Sequence, residues 1–309
     1  LVDVDAVGHV GQSQMAATRF DVERTITRYL ETRNLGATVV PGLSVARVTS
    51  PIPPTSYLFE PSLCATARGS KRVTLGDAGY VYDEAHFLLT AVGLPTIVEV
   101  PFASPQAPYT ALQLNLDLDL ARQIIADVDL QGLDTARAEA GIATGPVTAA
   151  LLDALARLVG LLDKPQDIPI LNGLIHREIL YRVVTGPAGG RLRQIVRIGS
   201  QSNRVAKAVA WLRKHFARRL RIEQLAEETG MAVSTLHHHF REVTTMSPLQ
   251  YQKHLRLHEA RRLMLTEDVD AGTAALCVGY ESVTQFNREY RRLFGRPPSR
   301  DMKLLRAAR

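Results

Sequence analysis

Apolar residues recur along this chain with two different periods, and the change of period divides it. Residues 16–33 carry Phe20, Ile26, Tyr29 and Leu30 at helical spacing, which predicts an amphipathic helix with those residues toward one side. From Ala37 to Asn115 the pattern shortens to β-branched runs punctuated by Pro and Gly. Strands are expected at 38–40, 44–48, 56–59, 63–67, 71–75, 80–82, 86–90, 96–100 and 109–116, with turns at Arg68-Gly69, Gly76-Asp77 and Gly93-Leu94-Pro95. Short strands this closely spaced argue for an antiparallel sandwich or barrel. Helical spacing returns over 118–127, 146–162 and 168–184, with Pro146 read as the opening residue of its helix because its missing N–H costs nothing there. Gly186-Pro187-Ala188-Gly189-Gly190 breaks the third helix.

Beyond Ser202 strand signals vanish and a repeat emerges. LAEETG (225–230) is followed by Leu236, Phe240, Val243 and Pro248; AALCVG (274–279) is followed by Phe286, Tyr290, Leu293 and Pro298. With one inserted residue the two series superpose, about 49–50 residues apart. Each unit reads as a short helix with Ala four residues before a Gly, a tight turn, and a second helix whose apolar residues recur at i, i+4 and i+7. The Ala permits a close helix crossing and the Gly a left-handed turn. That is a helix-turn-helix, present twice.

Charge gives the repeat a partner. The net +6 hides a split: residues 1–200 hold 17 Lys and Arg against 20 Asp and Glu, whereas residues 201–309 hold 20 against 11, or +9. A basic tail on an acidic-to-neutral body points to a polyanion. The longest uncharged run, Val100 to Leu116, contains three prolines and cannot cross a bilayer as a helix, and Asp3 and Asp5 stand where a signal peptide needs positive charge. A soluble cytoplasmic protein with no membrane partner is expected. Cys64 and Cys277 lie in different halves, which argues against a disulfide framework.

GMAVSTLHHHFREVTTMSPLQYQKHLRLHEARRLML and VGYESVTQFNREYRRLFGRPP resemble the double helix-turn-helix domain of AraC/XylS-type transcription regulators. Ala226, Gly230, Leu236, Phe240, Ser247-Pro248, Tyr251, Arg256, Ala260-Arg261, Leu263, Gly279, Phe286, Arg288, Gly295 and Pro298 carry the resemblance. GSKRVTLGDAGYVYDEAHFLL and PFASPQAPYTALQLNLD are similar to the cupin-like N-terminal domain of one AraC-type subgroup. The resemblance implies an α+β chain: a cupin-like β-barrel with flanking helices over 16–185, a linker over 186–202, and an all-α domain of two helix-turn-helix units over 203–305. The departures are Ala271 and Ala274 where Ile is usual, Thr245 for a helix-terminating Gly, and Asp301-Met302 for an aromatic-basic pair.

With Leu236, Phe240 and Val243 inward, helix 233–243 turns Ser234, His237, His238 and Arg241 outward. On helix 282–293, inward Phe286, Tyr290 and Leu293 expose Thr284, Asn287, Arg288 and Arg291, and Val283 near the N-terminal end can meet a thymine methyl. Asn pairs bidentately with adenine and Arg with guanine. Pro248 to Leu265 reads as one helix of 18 residues, about 27 Å long, which places the two reading helices near successive major grooves of double-stranded DNA. Arg213, Lys214, Arg218 and Arg219, with Arg221, are expected on phosphates.

Competing chemistry is sparse. Consecutive positions in His237-His238-His239 diverge by about 100° and are not expected to share a metal ion; His254 and His258 read as packing or surface residues. No His-x-His lies in the first half, where His86 is the one histidine of the strand region. Phosphate-loop and nucleophile-elbow motifs are missing, so neither an enzyme nor a cofactor is expected. Cys277 reads as core. Cys64 reads as a small buried hydrophobe or, alternatively, a thiol sensor, which requires a lowered pKa. A sequence-specific transcription regulator is the expectation, controlled through an N-terminal domain that takes a small-molecule effector or forms a homodimer, with RNA polymerase as a further partner.

Overall fold

A computed structural model describes residues 4–33, 36–128 and 140–307, with side chains from Gln12 to Arg306. Helix α1 (Val4–Leu30) leads into β1 (Gly36–Ala37), β2 (Leu43–Val48), β3 (Ile52–Phe59), β4 (Ser62–Arg68), β5 (Lys71–Leu75), β6 (Ala78–Tyr82), β7 (His86–Thr90), β8 (Leu94–Val100) and β9 (Tyr109–Asn115). Then come α2 (Leu118–Asp127), β10 (Ile142–Pro146), α3 (Ala149–Gly160), α4 (Ile168–Thr185) and α5 (Gly190–Val196). The C-terminal part is helical: α6 (Gln201–His215), α7 (Ile222–Thr229), α8 (Val233–Thr244), α9 (Pro248–Thr266), α10 (Ala271–Cys277), α11 (Val283–Phe294) and α12 (Pro298–Ala307). No helix of the described residues is long and apolar enough to cross a membrane.

The strands form two antiparallel sheets, β1-β2-β9-β4-β7-β10 and β3-β8-β5-β6. Period-two alternation sends Leu43, Val45, Val73 and Leu75 into the space between them. Four sequence expectations change here. Thr38 to Val40 is not a strand and leads into a turn over 40–43, closed by Leu43 N–H to Val40 O, 3.1 Å, with Gly42 at φ +80° as the left-handed residue. Pro146 ends edge strand β10 opposite His86, where a missing N–H is tolerated; the following helix starts at Ala149, capped by the Thr148 hydroxyl. On α1 the buried stripe is Val22, Ile26 and Tyr29, which leaves Phe20 63% exposed. The stretch expected as a linker, 186–202, is packed: α5 buries Leu192, Ile195 and Val196, and Ser200 caps α6.

Two cores result. One is continuous from the sheets through α3, α4 and α5 into α6, Leu225, Leu236, Phe240, Val243, Tyr251 and Leu255. The other holds the second helix-turn-helix: Leu257, Ala260, Met264, Ala274, Ala275, Val278, Phe286, Tyr290 and Met302. The first unit is therefore built onto the N-terminal domain, and the second hangs from the far half of α9.

Candidate nucleic-acid interface

In the first unit, α7 ends at Gly230 with φ +63°, and Met231 N–H reaches back to Ala226 O at 2.9 Å. The turn delivers α8 with Leu236, Phe240 and Val243 buried, so Ser234, His237, His238 and Arg241 stand exposed. In the second unit Ser282 caps α11, Phe286 and Tyr290 are fully buried, and Val283, Thr284, Asn287, Arg288 and Arg291 are exposed. Among the described residues Arg241, Arg288 and Arg291 hold no ion pair, so these cations face solvent uncompensated.

Arg256, on α9, ties the units together. Its guanidinium donates to Phe216 O (2.7 Å), Arg218 O (2.9 Å) and Gly279 O (2.8 Å), while Gln252 donates to Phe216 O (2.9 Å) and Arg218 O (2.7 Å). A Cβ on Gly279 would lie 2.0 Å from Ala217 O, so only Gly fits where the two turns meet. The pinned segment presents Arg218 and Arg219, both exposed beside exposed Lys214.

Arg213 does something else. It makes a bidentate ion pair with Glu60, beyond the end of β3. The pair belongs to a row of contacts joining the sheets to the helix-turn-helix region, mostly to its first unit and, through His258, to the far half of α9. Tyr251 donates to Gly93 O at 2.9 Å, Gly141 N–H to Val243 O at 2.8 Å, and Ser56 Oγ lies 3.0 Å from His258 Nε2. A Cβ on Gly93 would come 2.7 Å from the Arg213 guanidinium, so a larger residue there would push that side chain aside. Glu60, Ser56 and Gly141 were not singled out from sequence; Gly93 was expected in a turn with Leu94 and Pro95, which instead open β8; and Arg213 is corrected from phosphate contact to interdomain ligand. Burial, with like charge from His254 and Arg261, pushes the His258 imidazole down to about 3. His254 keeps a buried Nδ1 without a hydrogen-bond partner among the described residues.

The departures from the family pattern resolve unequally. Thr245 adopts φ +62°, a left-handed conformation that is strained for a β-branched residue, and packs on the Gly76 turn. Asp301 is buried and accepts from Arg261 Nε (2.9 Å), Arg261 Nη2 (3.2 Å) and Tyr290 OH (2.7 Å). It fastens α12 to α9 and α11.

Cys277 is exposed rather than core: the buried side of α10 is Ala274 and Ala275, followed by Val278. Cys64 is buried, and desolvation pushes its thiol up to about 11, opposite to the lowered pKa that a reactive thiolate needs. His86 is exposed beside Asp83, at 3.1 Å. Divergence along the histidine triplet is less than its spacing predicts. His238, His239 and Glu242 bring donor atoms within 4.8 Å of one another, a set able to hold an ion, although His239 Nδ1 already contacts Glu242 at 2.8 Å.

Comparison with known proteins follows this division. The family model of the AraC-type transcriptional regulator N-terminus matches residues 39–191, and a helix-turn-helix domain model matches 225–303. The HTH-type transcriptional activator RhaS of Salmonella schwarzengrund (strain CVM19633) is 30% identical over 160 residues, 51% of this chain and 56% of that protein. The chain thus spans about half the length of the curated relatives it matches. Apo ToxT from Vibrio cholerae, a point variant, superposes with TM-score 0.60 at 12% identity, covering 87% of this chain and 98% of that one. Wild-type ToxT bound to an unsaturated fatty acid gives 0.56 at 12% identity, over 84% and 94%. At such identity the likeness to ToxT is one of fold.

Proposed function

The chain belongs to the AraC-type transcriptional regulators, and on that premise we propose that it binds specific sequences of double-stranded DNA in the cytoplasm through α8 and α11. The observation that carries this reading is the duplicated surface. Two helices bury one face in separate cores and turn outward faces rich in unpaired Arg, His and Asn. Ser234, His237, His238 and Arg241 read one groove. Val283, Thr284, Asn287, Arg288 and Arg291 read the next. Lys214, Arg218 and Arg219 hold phosphates. The 19 residues of α9 set the spacing at about 28 Å, within reach of one DNA turn.

The N-terminal domain takes a small-molecule effector and passes its state to the DNA-binding helices across the Glu60–Arg213, Gly93–Tyr251 and Ser56–His258 contacts. The exposed α4 face of Ile170, Leu174 and Tyr181 supports homodimer formation, because a lone helix rarely leaves such a stripe in water. RNA polymerase is the partner through which a bound regulator acts. Selection of bound fragments from random and genomic DNA tests the DNA reading. An enriched motif of two half-sites about one helical turn apart is expected; fragments no more enriched than bulk DNA would overturn it.

A further inference from the structure

A cavity of about 250 Å³ opens between the two sheets. Its walls come from β2, β9 and β4 on one side and from β3, β5 and β6 on the other. Val45, Ala111 and Leu112 make it apolar, whereas Tyr57, Lys71, Tyr82, Tyr109 and Gln113 place polar atoms around it. The tyrosines are already ordered: Tyr82 OH lies 3.2 Å from Tyr109 OH, and Tyr57 OH donates to Gln113 Oε1 at 3.3 Å.

Lys71 is the unusual member. Its ammonium sits over the Tyr57 and Phe59 rings at 5.4 and 5.6 Å, and among the described residues no acidic side chain lines the cavity. The groups there able to become anions stay neutral: burial raises the Cys64 thiol to about 11 and pushes the phenols of Tyr57, Tyr82 and Tyr109 up as well. Burial also lowers the Lys71 pKa, the mark of a cation short of solvation and of a counter-ion. A half-buried charge held over aromatic rings in an apolar cleft is stabilised by an anion brought from outside.

We propose that this cavity binds small organic monocarboxylates, with the carboxylate paired to Lys71, the tyrosine hydroxyls and Gln113 beside it, and a short aryl or alkyl body against Val45, Ala111 and Leu112. Volume limits the body. A cavity of roughly 150 Å³ accommodates benzene, so this one accommodates about ten non-hydrogen atoms, enough for a phenylalkanoate and too few for a long-chain fatty acid. The proposal rests on the reading of the N-terminal domain as an effector domain and gives that effector a chemistry. It also gives the signal a route: Tyr57 is flanked by Ser56, which contacts His258, and β3 runs on toward Glu60, which holds Arg213.

Calorimetric titration of the full chain with benzoate and 3-phenylpropionate, with their amides, and with palmitate tests the proposal. The short acids are expected to bind about tenfold or more tighter than the amides, as a charge-assisted contact requires. Lys71→Gln should erase that preference and Lys71→Arg retain it, with circular dichroism confirming that both variants fold. Equal affinity for acid and amide in the wild type overturns the proposal without recourse to any variant. So does tighter binding of palmitate, or no heat from either acid at millimolar concentration. DNA affinity measured with and without 3-phenylpropionate separates site from effector: binding that leaves DNA affinity unchanged supports the cavity and overturns the effector role.

Discussion

Removing the Asp301 carboxylate should loosen the second DNA-reading unit while sparing the first. Asp301 is 2% exposed and receives two N–H bonds from Arg261 and one O–H bond from Tyr290. Taking one partner from a buried ion pair costs about 3–5 kcal/mol, because the remaining charge is left uncompensated. Here the lower end applies, since Arg261 keeps 19% of its side chain in solvent and also lies over the Phe294 ring at 4.4 Å. Asp301→Ala should therefore cost about 3 kcal/mol, and Asp301→Asn, which keeps an acceptor, about half of that. Asp301→Leu combined with Arg261→Met should recover most of the loss, as apolar replacement of a buried pair often does. Urea unfolding provides the assay, because the two units belong to separate cores. The single tryptophan, Trp211 on α6, reports the first, and far-ultraviolet circular dichroism reports both. The Ala variant should shift a circular dichroism component to lower urea while the Trp211 transition stays in place. A loss below about 0.5 kcal/mol, the scale of an ordinary surface substitution, would refute the reasoning. An equal shift of both signals would also refute it.

Further outcomes follow from other residues. His258 has a folded pKa of about 3, below the ordinary histidine value, so its stabilising contribution is intact above about pH 6.5 and erodes as pH falls toward 3. Between pH 6.5 and 5 the erosion amounts to about 2 kcal/mol, and a stability–pH curve should flatten in His258→Gln; an unaltered curve contradicts the assignment. Replacing Arg218 and Arg219 with Gln should weaken binding to every DNA sequence alike and reduce the slope of log affinity against log salt by about two. Arg288→Ala or His238→Ala should cost about 1–3 kcal/mol and relax sequence choice at one position each, as read by footprinting; unchanged specificity in both would refute the reading faces. Thr245→Gly should raise stability by about 1 kcal/mol in thermal unfolding, because it relieves a left-handed β-branched residue; a loss would show that the Thr245 contact with the Gly76 turn outweighs the strain.

How legible these features were in the sequence depended on distance along the chain. Helix α2 spans the 118–127 stretch predicted from its spacing, because Asp117 caps it and its own apolar stripe orients it. The duplicated turns were equally readable, since the glycine and the apolar series that define each lie within about 25 residues. Helix α5 was hidden: its opening glycines read as a break, and only burial of Leu192, Ile195 and Val196 against the domain makes it helical. The role of Arg213 was hidden for a similar reason, because Glu60 lies 153 residues away and no local pattern joins them. Cys277 was misplaced because α10 offers Ala on its inner side, and small residues leave the direction of a seven-residue helix ambiguous. Nothing local marks Lys71 as enclosed, because the walls around it come from strands of the facing sheet.

Methylation interference on a selected high-affinity site tests the central claim, that α8 and α11 read DNA together. Two patches of major-groove guanine N7 contacts, about one helical turn apart on one face of the duplex, are the predicted result. Arg288→Ala should weaken one patch only and His238→Ala only the other. A single patch, or two patches that both persist in both variants, would contradict the account.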